Sequence, residues 1–235
     1  MNMLPRHVAV IPDGNRRWAK ARLLPSFMGH QKGAEMIEKI LEHSLQLGIE
    51  CFTFWGCSVT NVTERDPKEV AFLYTLFERY FTKLLKAKVL HEHQVRVRML
   101  GAWPRYFPES CQAVMRELEG VTQKYNKHHL TFLLAYSGYD EMLIAAGALA
   151  EERSKNSDFV IDAESLKQRL LTRDLPVVDL VVRTGGEPHW SSGFMMWDTG
   201  DALLYFTEKP WPAFTPAQFD KALAFYGATE RRKGK

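Results

Sequence analysis

The chain has 235 residues, of which 46% are hydrophobic and 25% charged, and its formal net charge is +3. That size supplies one substantial core across residues 1–235, and the charge is too small for a nucleic-acid footprint, leaving a weak pull on anionic substrates or membrane surfaces. Cys51, Cys57 and Cys111 are odd in number and lack metal-ligand spacing, no apolar run approaches the ~20 residues that span a bilayer, and the opening residues lack a signal-peptide core, so free thiols and a cytoplasmic chain are expected.

A first strand is predicted over 7–11, a short apolar run that breaks straight into Pro12-Asp13-Gly14-Asn15-Arg16-Arg17-Trp18. A strand that stops at a glycine turn and feeds a helix leaves backbone N–H groups pointing outward, here beside two arginines and a carboxylate. The combination suits a diphosphate accompanied by a divalent metal. After His30, the residues Met36, Ile37, Ile40, Leu41 and Leu45 keep a helical stripe up to Gly48, where a helix-ending glycine belongs. A second strand follows over 51–56, and then a long helix is predicted from 67 to about 90. It carries Val70, Leu73, Phe77 and Leu84, with Phe72, Tyr74, Tyr80 and Phe81 adding bulk.

Further apolar strand segments fall at 95–100, 130–135, 179–183 and 202–206. His128 and His129 read as surface residues, 151–158 as a solvated loop, and 230–235 as a basic tail. Strands that alternate with helices, most of them continuous apolar runs, argue for an α/β fold: a single domain whose central, six-stranded, mostly parallel sheet is flanked by helices. In such sheets ligands gather outside the carboxyl ends of the strands. There the sequence places Asp13, Asn15, Arg16 and Arg17 after the first strand and Ser58, Asn61 and Arg65 after the second. Arg183-Thr184-Gly185-Gly186-Glu187 ends the fifth. Arginine's planar fork matches phosphoryl oxygens, and Thr-Gly-Gly lets backbone approach a ligand closely, so one or two diphosphates fit this edge.

Three blocks carry a resemblance. Val8 through Ala19, then Gly29-His30-Gln31-Lys32-Gly33, then Asp179 through Glu187 resemble the signature blocks of the cis-prenyltransferases, the undecaprenyl diphosphate synthase family. Weaker matches run from Gly48 to Val70, over 136–141, and from Phe194 to Pro212, so the likeness covers nearly the whole chain in order. It implies a homodimer that joins allylic and homoallylic isoprenoid diphosphates with Mg2+, the growing chain lying in an apolar tunnel. By position, Asp13 is then the metal-binding carboxylate. Gly14, Asn15, Arg16, Arg17, Trp18 and His30 surround the allylic diphosphate, and Arg183 clamps the second. Ser58 and Asn61 take part in proton removal, Arg65 steadies their loop, and Arg232 and Gly234 belong to a tail that crosses the dimer interface. Read without the family, His30 caps or packs a helix, and Ser58 and Asn61 satisfy loop hydrogen bonds.

The chain also departs from the family pattern. Leu203 stands where the family has a second acidic group before the Leu-Tyr-Phe strand; Asp201, two residues earlier and on the same strand face, substitutes only if the strand starts early enough. The arginine before the Gly-His block is Ser26, the glycine after Asn15 is Arg16, and Thr60-Asn61-Val62 replaces Glu-Asn-Trp. After Glu187 the expected arginine and serine become Pro188 to Gly193 with one insertion, so His189 or Trp190 takes over that neighbourhood, and His189, Ser191 and Ser192 are expected to bind substrate. These changes fall around both diphosphate sites while Asp13, Arg17, His30 and Arg183 persist. They imply altered coupling: head-to-middle joining of allylic diphosphates such as dimethylallyl diphosphate to a lavandulyl-type, optionally cyclised, product. Ordinary elongation with isopentenyl diphosphate and a non-catalytic diphosphate-binding subunit are the alternatives. The aromatics between Phe72 and Phe81 suggest a tunnel filled enough to favour short products.

Overall fold

The computed structural model describes residues 4–191 and 193–229. The first strand, β1 (His7–Ile11), leads through Gly14 into a short helix α1 (Asn15–Lys20), and a long helix α2 (Ser26–Gln46) returns the chain to β2 (Cys51–Trp55). Next come α3 (Val59–Thr63), α4 (Pro67–Leu85), α5 (Lys88–Glu92), β3 (Val95–Leu100), α6 (Trp103–Tyr106), α7 (Glu109–Thr122) and β4 (His128–Leu133). The remainder is α8 (Gly138–Lys155), α9 (Ala163–Lys167), β5 (Leu180–Arg183), β6 (Leu203–Phe206), a 3-10 turn at Trp211–Ala213, and α10 (Pro216–Ala228).

The six strands form one sheet in the order β3-β4-β2-β1-β5-β6, with every pairing parallel. From β1 the chain moves to one side of the sheet, and after β4 it crosses to β5 on the other side of β1. The crevice between β1 and β5 is therefore the topological switch point, where open α/β sheets bind ligands. Alternate β1 side chains divide the interior. Val8 and Val10 join the larger core beneath α2, α4, α7 and α10, while Ala9 and Ile11 join a smaller one with Trp55, Val181 and Phe194 on the other face.

Helix α2 ends as its glycine predicts. Gly48 has φ +77°, its N–H reaches the Leu45 carbonyl at 3.0 Å, and the Ile49 N–H reaches Ser44 at 3.0 Å, which satisfies the last-turn carbonyls. Three expectations are corrected. The helix predicted to about residue 90 stops at Leu85, because Ala87 leaves helical backbone (φ −78°, ψ 116°) and the turn sends Leu90 into the core. Helix α8 runs through most of the predicted 151–158 loop, supported by the Lys155–Glu151 pair at 2.5 Å and by the Arg169–Glu152 contact. His128 is a buried strand residue whose Nδ1 bonds the Ile49 carbonyl at 2.9 Å; two histidines side by side read as polar, and only the sheet register shows that one points inward.

Candidate active site

Asp13 sits just past β1, on the switch-point crevice, because two glycines allow the backbones to close there. Gly14 has φ +96°, and a Cβ on it would lie 2.8 Å from Pro210 Cβ. Gly185, at φ +88°, would place a Cβ 2.9 Å from the Asp13 backbone, so any side chain would force the two loops apart. The Asp13 carbonyl accepts from the Trp211 N–H at 2.9 Å and from Thr184 Oγ1 at 2.8 Å, fixing the main chain. Its carboxylate takes the Gly14 N–H at 2.6 Å, Arg17 Nη2 at 3.2 Å and Arg183 Nη2 at 3.2 Å. Arg17 in turn meets Glu187 at 3.2 Å.

Arg183 is the buried member of this group, its side chain 5% exposed. One Nη donates to the His189 carbonyl, the other faces Asp13, and Nε is buried without a protein partner. A buried donor left unpaired is costly unless something else accepts from it. Asn15 has a matching acceptor: Nδ2 donates to the Pro12 carbonyl at 3.0 Å, and Oδ1 is buried with no partner.

A second cluster forms across the mouth. Glu69, in the first turn of α4, receives His30 Nε2 and Arg65 Nη1, both at 3.2 Å on the same oxygen, with Arg16 Nη1 4.0 Å from the other oxygen. Burial holds the His30 pKa below its ordinary value, the Arg65 charge acts in the same direction, and Glu69 opposes both. Burial likewise lowers Arg65. Ser58 caps α3: its Oγ accepts the Asn61 N–H at 3.0 Å while Asn61 Oδ1 accepts the Ser58 N–H at 3.3 Å. The cap uses Ser58 Oγ and Asn61 Oδ1 to shape the loop that leads to Arg65.

These groups ring one cavity of about 880 Å³. Its mouth is polar, lined by Asp13, Gly14, Asn15, Arg16, Arg17, Lys20, His30, Ser58, Asn61, Arg65, Arg183, Glu187 and Ser191. Its depth is apolar, formed by Ile37, Phe54, Leu73, Leu76, Phe77, Tyr80, Phe132 and Trp211. Tyr80 is 7% exposed and packs edge-on against Phe132 (centroids 6.0 Å); its hydroxyl has no protein partner, and burial pushes its pKa up. The site therefore offers cations for a phosphorylated head and aromatic walls for a hydrocarbon tail.

Most of the residues expected at the site converge on this mouth. Trp18 and His189 do not line it: Trp18 lies under the Arg22 guanidinium, 4.3 Å from its ring centroid, and His189 contributes its carbonyl to Arg183. Ser192, Arg232 and Gly234 lie outside the described residues. Asp201 does not reach Asp13. The strand starts at Leu203, which pairs with Leu180, whereas Arg183 pairs with Phe206, so position 203 lies about 10 Å down the strand from the crevice. Sequence reasoning missed Glu69, Lys20 and Glu208, whose carboxylate lies over Gly186. Only Glu69 left a local signal, its place four residues after Arg65.

A sequence profile for putative undecaprenyl diphosphate synthases matches residues 11–234. The chain belongs to the undecaprenyl diphosphate synthase family of cis-prenyltransferases. An isoprenyl transferase of Thermotoga maritima is 36% identical over 231 residues, covering 98% of this chain and 97% of its own. A ditrans,polycis-undecaprenyl-diphosphate synthase of Pseudomonas putida, specific for (2E,6E)-farnesyl diphosphate, is 39% identical over 237 residues, covering 99% and 91%. Among solved structures, lavandulyl diphosphate synthase from Lavandula x intermedia, in complex with dimethylallyl diphosphate, superposes with a TM-score of 0.91 at 31% identity and 99% coverage of both chains. As a cis-prenyltransferase, this chain is a prenyl diphosphate synthase. Among the described residues no helix is long and apolar enough to cross a membrane.

Proposed function

We propose that the cavity couples two allylic diphosphates head to middle, with dimethylallyl diphosphate as both donor and acceptor, to give a lavandulyl-type diphosphate. The donor's allylic C–O bond breaks and its electron pair leaves with diphosphate. The acceptor's internal alkene carbon then bonds to the donor's allylic carbon, and the resulting tertiary cation loses a methyl proton to restore an alkene. Ring closure before proton loss would give the cyclised relative.

Each part of the site has a place in this scheme. Arg17 and Arg183 hold diphosphate oxygens beside Asp13, and the unpaired Arg183 Nε gains its acceptor. Phe77, Tyr80, Phe132 and Trp211 keep water from the cation and present π faces to it. Ser58 and Asn61 hold the loop bearing Arg65 through Oγ and Oδ1, a cap that does not use Asn61 Nδ2 and leaves the pair on the cavity for the expected part in proton removal. Among the described residues no three His, Cys, Asp or Glu side chains cluster to cage a metal. Asp13 alone fits magnesium, which takes one or two carboxylates and completes its shell with phosphate oxygens and water. Asp13 would be its protein ligand, and the ion, when bound, neutralises charge on the leaving diphosphate.

One observation carries the head-to-middle reading. In the β1/β5 crevice Arg183 is already committed to Asp13 and to the His189 carbonyl, and the residues after Glu187, Pro188 and His189, supply no second arginine to help it hold isopentenyl diphosphate. The neighbour's bound dimethylallyl diphosphate supports the same substrate here. Ordinary elongation is the second reading, favoured by the 39% identity to the Pseudomonas putida enzyme. Incubation with magnesium and dimethylallyl diphosphate alone, with products read by mass spectrometry and NMR, tests the choice: a branched, irregular diphosphate is expected, and turnover only when isopentenyl diphosphate is added would overturn it. We further infer a homodimer, supported by Tyr139, Leu143 and Ile144 on the outer side of α8, each more than half exposed.

A further inference from the structure

Two buried hydrogen-bond donors on the cavity wall lack acceptors. One is Arg183 Nε; the other is Nε1 of Trp55, a residue 7% exposed at the end of β2. Both residues line the cavity. The indole N–H groups of Trp103, Trp190 and Trp211 each donate to a backbone carbonyl at 2.9 to 3.0 Å, and that of Trp55 does not. A buried donor without a partner is costly unless something that binds there accepts from it.

The sheet register brings the two donors to one place. Ile11 pairs with Arg183 across β1 and β5, and on the other side of β1 Val10 pairs with Phe54, so Trp55 is level with Ile11. Side chains level with one another point to the same face of a sheet, and Ile11 and Trp55 share the smaller core there. Arg183 and Trp55 therefore rise from backbones two strand spacings apart, about 10 Å, with Ile11 between them. The chain on either side of Ser191 covers both. The His189 carbonyl accepts from an Arg183 Nη, the Phe194 ring stacks on the Trp55 indole (centroids 5.2 Å, interplanar 30°), and Ser191 lines the cavity.

The chemistry of the coupling selects the group that fits there. The acceptor must keep its diphosphate, and an allylic acceptor has a C–O bond that itself ionises readily. Its diphosphate has to be held without being drawn off. An indole N–H donates to a phosphoryl oxygen and adds no charge, while the Arg183 charge beside it already faces Asp13. The Asp13 corner serves the diphosphate that leaves.

We propose that Trp55 is a substrate-binding residue whose Nε1–H, together with Arg183 Nε, holds the diphosphate of the acceptor. The inference rests on the proposed coupling for the presence of two diphosphates, and binding experiments separate the two. The thiolo analogue of dimethylallyl diphosphate is titrated calorimetrically into the parent and into Trp55→Phe, which keeps a ring on Phe194, in EDTA and in magnesium. The parent is expected to bind one equivalent in EDTA and a second only with magnesium. In Trp55→Phe the metal-independent affinity is expected to fall at least about tenfold, the loss of one hydrogen bond to a charged group, with the magnesium-dependent affinity unchanged. The Tm of the free variant is expected to stay level or rise, because an unpaired buried donor is gone. In the parent, the indole N–H resonance that is absent from the variant is expected to shift downfield when the analogue is added in EDTA. Equal affinities in parent and variant, a resonance that does not move, or equal weakening of both equivalents with a lower Tm would overturn the role of Trp55. A single equivalent under every condition would overturn the two-diphosphate reading along with it. A requirement for isopentenyl diphosphate in turnover would overturn head-to-middle coupling alone and leave Trp55 holding that acceptor.

Discussion

Glu69→Gln isolates what one carboxylate does for the mouth while keeping its shape. Glu69 and its two nearest partners are largely buried, with side-chain exposures of 17% for Glu69, 10% for His30 and 21% for Arg65. Arg16 is 58% exposed and 4.0 Å away, so solvent screens most of its share. A unit charge pair at this range is worth roughly 4 kcal/mol gross at an effective dielectric constant of about 20, and desolvation consumes much of that. We take a net loss of about 2 kcal/mol in holding His30 and Arg65, which corresponds to roughly a 30-fold fall in kcat/KM. The pH profile gives a second readout. Burial depresses the His30 pKa and Glu69 opposes it, so removing the charge lowers that pKa further and moves the acid limb of kcat/KM to lower pH. Steady-state rates from a diphosphate-release assay across pH measure both effects. Unchanged kcat/KM with an unmoved acid limb would refute the assignment of Glu69 as the residue that positions His30 and Arg65.

Asp13→Asn keeps the acceptor for the Gly14 N–H and removes the charge facing Arg17 and Arg183; kcat at saturating magnesium and substrate is expected to fall by about 10³-fold, and an undiminished kcat eliminates its assigned role. Tyr80→Phe removes a buried hydroxyl that has no partner, so thermal unfolding should shift up by about 2–4 °C, reflecting roughly 1 kcal/mol of stabilisation, and a lower Tm would contradict that reading. His7 is fully buried, with Nδ1 on the Pro176 carbonyl at 2.8 Å and Nε2 on Thr53 Oγ1 at 2.8 Å, and burial lowers its pKa from 6.5 to about 4. The unfolded chain then binds a proton that the native chain refuses, so stability falls as pH drops from about 6.5 to about 4, by roughly 3 kcal/mol from this group. Urea melts of the parent and of His7→Gln across that window measure it; a parent no more acid-sensitive than the variant would contradict it.

What the sequence disclosed follows from how local each signal is. Most strands were legible because parallel strands covered on both faces are continuous apolar runs; β3 breaks its run with Arg96 and Arg98, and β4 starts at His128, two residues before the predicted 130, because its histidines read as polar. Gly48 marked the end of α2 because left-handed backbone favours glycine. The Asp13 and Arg183 loops were legible because residues after strands share one edge of an α/β sheet. The Glu69 hub was not. His30 and Glu69 are 39 positions apart and meet only once α2 and α4 pack. Nor could the sequence say whether Asp201 reaches Asp13, since that depended on where β6 starts, and the Leu203–Leu180 register sets that start away from the crevice. The 151–158 segment read as loop because its charges hid a helix held by i, i+4 pairing and a tertiary arginine.

On the proposed reading the diphosphate head binds in the β1/β5 crevice and the hydrocarbon tail on the aromatic wall of the cavity. A crystal structure with magnesium and the unreactive thiolo analogue of dimethylallyl diphosphate tests it directly. Phosphoryl oxygens within hydrogen-bonding range of Arg17 and Arg183, with the metal on Asp13 and the tail against Phe77, are predicted. A fully occupied analogue whose diphosphate lies away from Asp13 would contradict it.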